Sequence, residues 1–379
     1  MNIALLCTEM LPVPPIMGGA IQIYIDGILP YLSKFHNITV FSVQKGGLPT
    51  TSYVDNVKYV RFQGNTEDEY IRNVKNYIKD NNYNLIHVFN RPNWILELDK
   101  ITSDTSLSLS LHNEMMIPDK ISPSNALSCI DRVCFIITIS KFIKDELVKM
   151  YPSAQNKVYP IYSAVDCNKL KPIWTEEAEK SKLSLLNKHN LNNHKIILCV
   201  SRLSPDKGQY ILLDAMKHVI KAHPNTALVL VGSKWYGEHD KNDYVLMLEN
   251  RASKLNCPVI FTGFLTPDEV IPYYNMADIF VCASQWREPL ARIHYEAMAA
   301  GLPIITTNRG GNSEVISEYT NGLILDEYNN AEAMAKKIIL LLENETLCID
   351  MGKSARKIAE EEYNYRRLSN KLLKIFSYI

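Results

Sequence analysis

The stretch "KIILCVSRLSPDKGQYILLDAMKHVIKAHPNTALVLVGS", residues 195–233, contains a short apolar run, a loop, a helical pattern and a second apolar run. Both apolar runs have the length and the Ile, Leu and Val content of buried strands. Continuous apolar strands that alternate with helices are typical of parallel sheets covered on both faces. The stretch therefore predicts a strand, a helix and a strand of a doubly wound α/β domain.

The same alternation extends over almost the whole chain. The second half continues with "PVIFTGF", "DIFVCAS", "LPIITT" and "GLILD", and the first half has its own series, "NIALLC", "ITVFSV", "VKYVRF", "NLIHVF", "LSLSLH", "CFIITIS" and "KVYPIY". Helical patterns such as "AIQIYIDGILPYLSKF" and "SKFIKDELVKMY" lie between them, the second with Ser140 as its expected N-cap. Two series predict two tandem Rossmann-like domains, with the charged segment 174–195 as the linker region. Because ligands of such sheets bind beyond the carboxyl ends of the strands, the cleft between the domains is the expected site.

Composition narrows the functional class. A length of 379 residues favours two domains, and 41 Lys and Arg against 41 Asp and Glu give no bulk attraction for nucleic acid or membrane. No apolar run approaches the roughly 20 residues of a spanning helix, and the N-terminal "MNIALLCTEMLPVPP" is interpreted as a strand and not as a signal peptide. The eight cysteines form no CxxC pair, which favours buried, reduced thiols in a cytoplasmic protein.

Two short loops carry groups suited to an anion. Gly18 and Gly19 precede the first helix, where free amides and the helix dipole favour negative charge, although a flexible turn explains them equally well. Arg202 and Lys207 lie in the loop after the strand at 195, where two cations would hold a diphosphate and neutralise the charge on a departing nucleotide. Solvated surface cations are the alternative. The chain has no GxGxxG, which weighs against a nicotinamide cofactor.

Other catalytic arrangements are weak or missing. His112 closes the strand "LSLSLH" and would face the site, where it could donate a hydrogen bond to a sugar, or it is simply a structural histidine. The nearest approach to a DxD metal motif is "EDE" at 67–69, which fits the start of a helix instead. No nucleophile elbow or Ser/His/Asp spacing occurs, so neither a metal nor a cofactor is expected.

The segment "WREPLARIHYEAMAAGLP", residues 286–303, carries Glu288 and Glu296. Apolar residues at Leu290, Ile293 and Ala297 predict a helix that begins near Pro289. In a continuous helix the two glutamates would be about 12 Å apart along the axis and roughly 80° apart around it. That separation is too wide for one shared proton or one metal ion. It matches the ribose and hexose ends of a nucleotide-sugar, whose hydroxyl groups carboxylates bind well.

Together these residues resemble the family-4 retaining glycosyltransferases, which have the GT-B fold: two Rossmann-like domains facing an inter-domain cleft. The resemblance rests on Glu-x7-Glu followed by "AMAAGLPIITTNRGGNSEVI", on "VSRLSPDKG", on "SAVDCNKLKP" and on the early Gly-Gly turn. The resemblance covers essentially the full chain and ends with "YNYRRLSNKLLKIF". It implies an acceptor-side domain over 1–168, a nucleotide-sugar-binding domain over 169–357 and a C-terminal helix over 358–379 that returns to the first domain.

The resemblance also implies roles for individual residues. Arg202 and Lys207 would bind the donor diphosphate, Glu296 the ribose and Glu288 the transferred sugar. Gly18 and Gly19 would line the reaction centre and His112 would touch the donor sugar, so His112 and Glu288 are the expected catalytic residues. The remaining expected donor-binding residues are Phe264, Leu290 and Ala291.

The family commonly has Phe-Gly after Glu-Pro, whereas this chain has Leu290-Ala291, followed by Arg292. Where Asn-Gly is usual, this chain has Ser163-Ala164. The variant resembles a subgroup with lipopolysaccharide-core and spore-coat glycosyltransferases. We therefore expect a retaining, metal-independent transferase that moves a hexose or N-acetylhexosamine from a UDP-sugar to a bacterial surface glycan or its lipid-linked precursor. It would be cytoplasmic, with peripheral contact to the inner membrane left open. A GT-B-fold UDP-N-acetylglucosamine epimerase and a catalytically silent coat or scaffold protein are the alternatives.

Overall fold

The computed structural model describes residues 1–64, 66–235 and 241–379 and contains two compact units. The first unit combines Met1–Ala164 with Tyr365–Ile379, and the second is Val165–Asn364. The boundaries thus lie at 164/165 and 364/365, whereas the sequence predicted 168/169 and 357/358. The segment before Tyr365 stays in the second unit because the Tyr363 carbonyl accepts a hydrogen bond from the Val165 amide at 2.8 Å.

The first unit contains an eight-stranded sheet. In chain order its strands are β1 (Asn2–Leu6), β2 (Asn37–Val43), β3 (Thr51–Val54), β4 (Val57–Phe62), β5 (Leu85–Phe89), β6 (Ser106–Leu111), β7 (Ile136–Thr138) and β8 (Val158–Pro160). The spatial order is β3-β4-β2-β1-β5-β6-β7-β8, and all pairs are parallel except β3 with β4. The central strands β1 and β5 are almost wholly buried, as expected of a sheet covered on both faces.

Five helices of the first unit follow strands, and a sixth comes from the end of the chain. They are α1 (Ala20–Leu32), α2 (Glu67–Lys79), α3 (Pro92–Asp99), α4 (Pro123–Arg132), α5 (Lys141–Met150) and, numbered last, α13 (Tyr365–Phe376). Ser140 caps α5 as predicted, because its side chain accepts a hydrogen bond from the Ile143 amide at 3.2 Å. The acidic run 67–69 forms the first turn of α2 behind the N-cap Thr66, also as predicted.

The second unit contains a six-stranded sheet with parallel pairing throughout. Its strands are β9 (Lys195–Val200), β10 (Thr226–Val231), β11 (Val259–Phe261), β12 (Ile279–Cys282), β13 (Ile304–Thr307) and β14 (Gly322–Leu325), in the spatial order β11-β10-β9-β12-β13-β14. Its helices are α6 (Glu176–His189), α7 (Gln209–Ala222), α8 (Asp243–Ala252), α9 (Pro267–Met276), α10 (Ile293–Ala300), α11 (Ala331–Leu342) and α12 (Glu345–Glu362). Both units are therefore doubly wound α/β sheets, as predicted.

The predicted linker at 174–195 is wrong. Most of it forms α6, which packs against α9 and buries Leu185 and Leu186. Lys182 donates to Asp278 at 3.0 Å, and the same carboxylate accepts the Ile196 amide of β9 at 2.7 Å. The charged residues of this segment lie on the outer face of a packed helix. Because they are so numerous, the few apolar positions that the helix buries gave no clear pattern in the sequence.

Each sheet has one point at which successive strands go to opposite sides. In the first unit it lies between β1 and β5, and in the second between β9 and β12. The carboxyl ends of such strand pairs are the usual ligand sites of open α/β sheets, since the connecting helices leave a crevice there. The loops that matter are therefore those after β1, β5, β9 and β12.

Cysteine burial and helix length add two facts. Cys199 and Cys282 are buried as predicted, and burial raises the pKa of the Cys199 thiol to about 12. Cys134, in contrast, is exposed, and all eight cysteines are free thiols. Among the helices of the described ranges, none is long and apolar enough to cross a membrane.

Helix α13 completes the first unit by packing on α1. Its residues Leu368, Leu372 and Phe376 are buried in the core that α1 shares with β1 and β2. The Tyr365 hydroxyl donates to the Ile23 carbonyl at 3.1 Å, and a Cβ on Gly27 would lie 2.0 Å from the Tyr365 ring. Gly27 is thus the position where the two helices come closest.

We expect Gly27→Ala to destabilise the protein by about 1–3 kcal/mol because the added methyl group displaces Tyr365. Inside a helix the same change normally stabilises by about 0.5–1 kcal/mol, so the sign is informative. Urea unfolding of Gly27→Ala in the wild-type and in a Tyr365→Ala background measures the coupling. A loss of equal size in both backgrounds would show that the contact is not the cause.

Candidate active site

The loop after β9 places Arg202 and Lys207 at the edge predicted for them. It contains a single 3-10 turn, Pro205–Lys207, and ends at Gly208, whose φ of 70° lies in the left-handed region. A Cβ on Gly208 would lie 2.0 Å from the Ala283 carbonyl oxygen, so only glycine lets this loop approach the end of β12.

The carbonyl of Asp206 joins this loop to the loop after β12. It accepts hydrogen bonds from the Gln285 amide at 2.8 Å and the Trp286 amide at 3.3 Å, and the Ser284 hydroxyl oxygen lies 3.2 Å from it. Two backbone donors on one oxygen fix the two loops against each other. The sequence interval of about 80 residues between them hides this junction from any local pattern.

Lys207 and Glu288 form an ion pair at this junction. The Lys207 Nζ contacts Glu288 Oε1, and the Ser284 hydroxyl donates to the same oxygen at 2.8 Å. The two side chains are 16% and 7% exposed, respectively, so the pair is shielded from water. A charge pair this deep is stable only with good geometry and additional hydrogen bonds, which Ser284 supplies.

Arg202 lies beside the pair and remains more open. Its guanidinium stands over the Trp235 ring with 5.0 Å to the ring centre and is 4.0 Å from the Asp206 carboxylate. Its backbone is held by the buried Gln209, whose side-chain amide donates to the Arg202 carbonyl at 2.7 Å. The arrangement leaves a cation next to a second cation that is already bound to a carboxylate.

The backbone around Glu288 is fixed by a third loop, after β13. The Gly311 amide donates to the Glu288 carbonyl at 2.7 Å, and a Cβ on Gly310 would lie 2.1 Å from that carbonyl oxygen. The buried Asn312 accepts the Ala291 amide at 3.1 Å. Residues 310–312 thus hold the backbone of the glutamate segment at Glu288 and Ala291.

The predicted start of the following helix is wrong. Helix α10 begins at Ile293 and not near Pro289, because hydrogen bonds from the Gly311 amide to Glu288 and from the Ala291 amide to Asn312 hold the preceding segment outside the helix. Leu290 is buried and Ala291 half-buried in this segment, while Ile293 is only half-buried. The helical separation calculated for Glu288 and Glu296 therefore does not apply.

Glu296 lies in the first turn of α10, and its two carboxylate oxygens face different side chains. The Tyr274 hydroxyl of α9 donates to Oε2 at 2.8 Å, and Arg292 Nη2 lies 3.6 Å from Oε1. Two residues before Glu296, His294 is fully buried between the Ala291 carbonyl at 2.9 Å and the Thr306 hydroxyl at 2.8 Å. Phe264, the remaining expected donor residue, is half-buried after β11.

The first unit places its predicted residues around α1. Gly18 and Gly19 have φ angles of 86° and 100°, and a Cβ on Gly19 would lie 2.2 Å from the Gln22 side-chain oxygen. His112 follows β6 and lies edge-on to Tyr24 of α1 at 5.0 Å. Its amide donates to the Asn90 side chain at 2.6 Å.

The structure therefore divides the predicted residues between its units. Seven belong to the second unit, namely Arg202, Lys207, Phe264, Glu288, Leu290, Ala291 and Glu296, and three to the first, Gly18, Gly19 and His112. Within the second unit, the side chains of Lys207 and Glu288 are in direct contact. Over the described ranges, no three His, Cys, Asp or Glu residues are grouped so as to hold a metal ion.

Several supporting residues escaped the sequence analysis. They are Ser284, Gln209, Tyr274 and Asn312 in the second unit, and Glu9 with Arg91 in the first, where the carboxylate accepts the Arg91 Nε at 2.9 Å. Glu9 follows β1 and Arg91 follows β5, so their position beyond a switch point was a usable signal. Ser284, Gln209, Tyr274 and Asn312 are recognised only by their hydrogen-bond partners, which no local sequence pattern indicates.

Residues 182–358 match the family described as "Glycosyl transferases group 1". The chain is 38% identical over 376 residues to the putative glycosyltransferase YtcC of Bacillus subtilis (strain 168), with 99% of this chain and 92% of the relative covered. The chain belongs to the group 1 glycosyl transferases. This membership confirms the predicted enzyme class, a glycosyltransferase of the hexosyltransferase type.

Other similarities extend over the same length or part of it. Spore coat protein SA of Bacillus subtilis (strain 168) is 42% identical over 376 residues, 99% of each chain. The lipopolysaccharide 1,2-N-acetylglucosaminetransferase of Salmonella typhimurium is 26% identical over 277 residues, 69% of this chain and 68% of the relative. The crystal structure of Anabaena Alr3699/HepE in complex with UDP-glucose superposes with a TM-score of 0.81 at 21% identity over 100% of both chains. That superposition confirms the predicted GT-B fold.

Removing one partner of the Lys207–Glu288 pair should destabilise this glycosyltransferase by about 3 kcal/mol, because a buried charge loses its counter-ion. The double variant Lys207→Met/Glu288→Gln should cost less than the two single changes together. Chemical unfolding of the four proteins measures this coupling. The exposed pair Lys180 and Glu176 is the control, for which no measurable coupling is expected. Additive losses at the buried pair would contradict the assignment.

His294 should make the second unit sensitive to acid. Burial lowers its pKa to about 4, whereas an unfolded histidine has a pKa of about 6.5. Between these values only the unfolded chain binds the proton, so stability present above pH ~6.5 falls by about 3 kcal/mol as the pH approaches 4.

The measurement is the pH slope of the free energy of unfolding for wild type, His294→Gln and the exposed control His218→Gln. We expect a shallower slope between pH 6.5 and 4.5 in His294→Gln alone. An unchanged slope in that variant would refute the assignment, whatever its absolute stability.

Proposed function

We propose that this enzyme is a retaining, metal-independent glycosyltransferase that moves a hexose or N-acetylhexosamine from a UDP-sugar to a bacterial surface glycan or its lipid-linked precursor. The single observation that carries the donor site is the Lys207–Glu288 pair at the switch point of the second sheet, with Arg202 beside it. A diphosphate needs two cations at a strand edge, and a sugar hydroxyl needs a nearby carboxylate.

Donor binding rearranges this pair in our proposal. Lys207 turns its ammonium group toward the diphosphate, which Arg202 holds from the other side. Glu288 keeps its hydrogen bond from Ser284 and accepts hydroxyl groups of the sugar. Because the side chains of the pair are nearly excluded from water, their interactions with developing charge are stronger than at an open surface.

The reaction would proceed on the front face of the donor sugar. The bond between the anomeric carbon and the phosphate oxygen breaks, and a bond to the acceptor oxygen forms on the same side. The acceptor proton passes to the departing phosphate, whose added charge Arg202 and Lys207 neutralise. No protein nucleophile is required. His112, Gly18 and Gly19 of the first unit would contribute to the reaction centre, with His112 donating to the sugar.

The acceptor class rests on relatives. One of the similar proteins is named a spore coat protein and another a lipopolysaccharide N-acetylglucosaminetransferase. The solved structure with the same fold was determined with UDP-glucose. We propose from these names a surface-glycan acceptor and a uridine donor. A lipid-linked acceptor would bring this cytoplasmic enzyme to the inner face of the plasma membrane.

The decisive experiment screens UDP-, GDP- and ADP-sugars by thermal shift and by release of the nucleoside diphosphate, with and without candidate acceptors and with a chelator present. We expect acceptor-dependent UDP release that the chelator does not reduce, and a product whose anomeric configuration equals that of the donor by NMR. Inversion, or activity that requires a divalent ion, would contradict the corresponding part of the proposal.

Two variants test the residue roles. Lys207→Met should lower kcat/KM about a hundredfold or more, since charge on the leaving group is no longer neutralised. Glu296→Ala should weaken nucleotide binding about tenfold through lost ribose hydrogen bonds. Lys336→Met and Glu332→Ala, from an exposed pair on α11, are the matched controls. Unchanged nucleotide affinity in Glu296→Ala would show that its assignment is wrong.

A coat or scaffold role is the second candidate, favoured by the 42% identity to spore coat protein SA. It predicts that no nucleotide binds at micromolar concentration. The intact set of Arg202, Lys207, Glu288 and Glu296 speaks for activity instead, because a site without selection would lose its charges. An epimer of UDP-N-acetylglucosamine formed without acceptor would point to the epimerase alternative.

A further inference from the structure

We infer that Tyr274 is a positioning residue that sets ribose recognition through Glu296. The inference deepens the proposed function and rests on it, because Glu296 is proposed to bind the ribose. The observation is the hydrogen bond of 2.8 Å from the Tyr274 hydroxyl to Glu296 Oε2, between residues on different helices. Tyr274 itself is buried.

Tyr274 is a rigid donor. Its side chain is only 1% exposed, and its ring packs against Phe280 of β12 with the ring centres 5.8 Å apart. Burial, together with the nearby Glu296 carboxylate, raises the pKa of Tyr274 well above its usual value, so the hydroxyl keeps its proton and donates. A neutral donor in a fixed place orients a carboxylate without neutralising it.

The carboxylate of Glu296 interacts with a different side chain at each of its two oxygens. Tyr274 holds Oε2, while Arg292 lies 3.6 Å from Oε1, too far for a hydrogen bond but close enough for attraction. Glu296 retains about a fifth of its side-chain exposure, 20%, compared with 11% for Arg292. With Tyr274 bound to one oxygen, the other remains available to ligand hydroxyl groups. Without Tyr274, the carboxylate would turn toward Arg292 and close the ion pair.

Arg292 is the residue directly before α10 and lies one helical turn from Glu296, so in this proposal it competes with the ribose for the same carboxylate. Without a restraint on Glu296, Arg292 would form a closer ion pair with it. The Tyr274 hydroxyl prevents this, and Tyr274 and Arg292 together determine whether a carboxylate oxygen of Glu296 is available to the nucleotide.

The test compares a nucleoside diphosphate with its 2′-deoxy analogue by isothermal titration calorimetry. UDP, GDP and ADP are titrated first, and the one that binds most tightly is used with its analogue. We expect Tyr274→Phe to lower affinity for the ribonucleotide about five- to tenfold and to leave affinity for the deoxy form nearly unchanged. The preference for ribose therefore falls, which general loosening of α9 would not produce.

Tyr273→Phe is the matched control. Tyr273 lies on the same helix, is also buried and shares its hydroxyl with the His189 ring at 3.2 Å, outside the Glu296 contact. This variant should retain the full preference for the ribonucleotide. A second variant, Tyr274→Phe/Arg292→Met, should recover part of the preference because the competing cation is gone.

The outcomes separate this inference from the proposed function. If Glu296→Gln abolishes the ribose preference and Tyr274→Phe does not, the positioning role is refuted and the donor site stands. If Glu296→Gln has no effect on the preference, the ribose assignment of Glu296 fails, and this inference with it. Equal losses of both nucleotides in Tyr274→Phe would assign a purely structural role to the hydroxyl.

Discussion

The second unit depends on the way one carbonyl, that of Asp206, joins two loops that lie about 80 residues apart. The backbone amides of Gln285 and Trp286 both donate to it, and Gly208 makes the approach possible. Everything proposed for the donor follows from this junction, because it brings Lys207 beside Glu288. The backbone contact and the ion pair thus join the same two loops.

The sequence was most informative where position along a strand decides position in space. Arg202 and Lys207 lie in the loop after β9 and His112 follows β6 directly, and within each parallel sheet the carboxyl ends of the strands share one edge. The alternation of strands and helices was sufficient to predict both sheets. Glu288 was singled out by its spacing from Glu296 and by the family resemblance, and the structure places it a few residues after β12.

Prediction failed where long-range contacts override local pattern. Three apolar residues at helical spacing suggested a helix from Pro289, but hydrogen bonds to residues 311 and 312 hold that segment outside the helix. Segment 174–195 was interpreted as a linker because its charges outnumber its apolar residues, whereas two buried leucines suffice to anchor α6. The contact of Tyr274 with Glu296 joins two helices, and no periodicity within either one indicates it.

Because α13 belongs to the first unit, it affects the order in which the two units can fold during synthesis. The second unit is one continuous segment, 165–364, and can fold as soon as it leaves the ribosome. The first unit begins the chain, yet part of its core, at Leu368, Leu372 and Phe376, is synthesised last. Until those residues emerge, the buried face of α1 is exposed in the nascent chain. The unit translated first is therefore the one that finishes folding last.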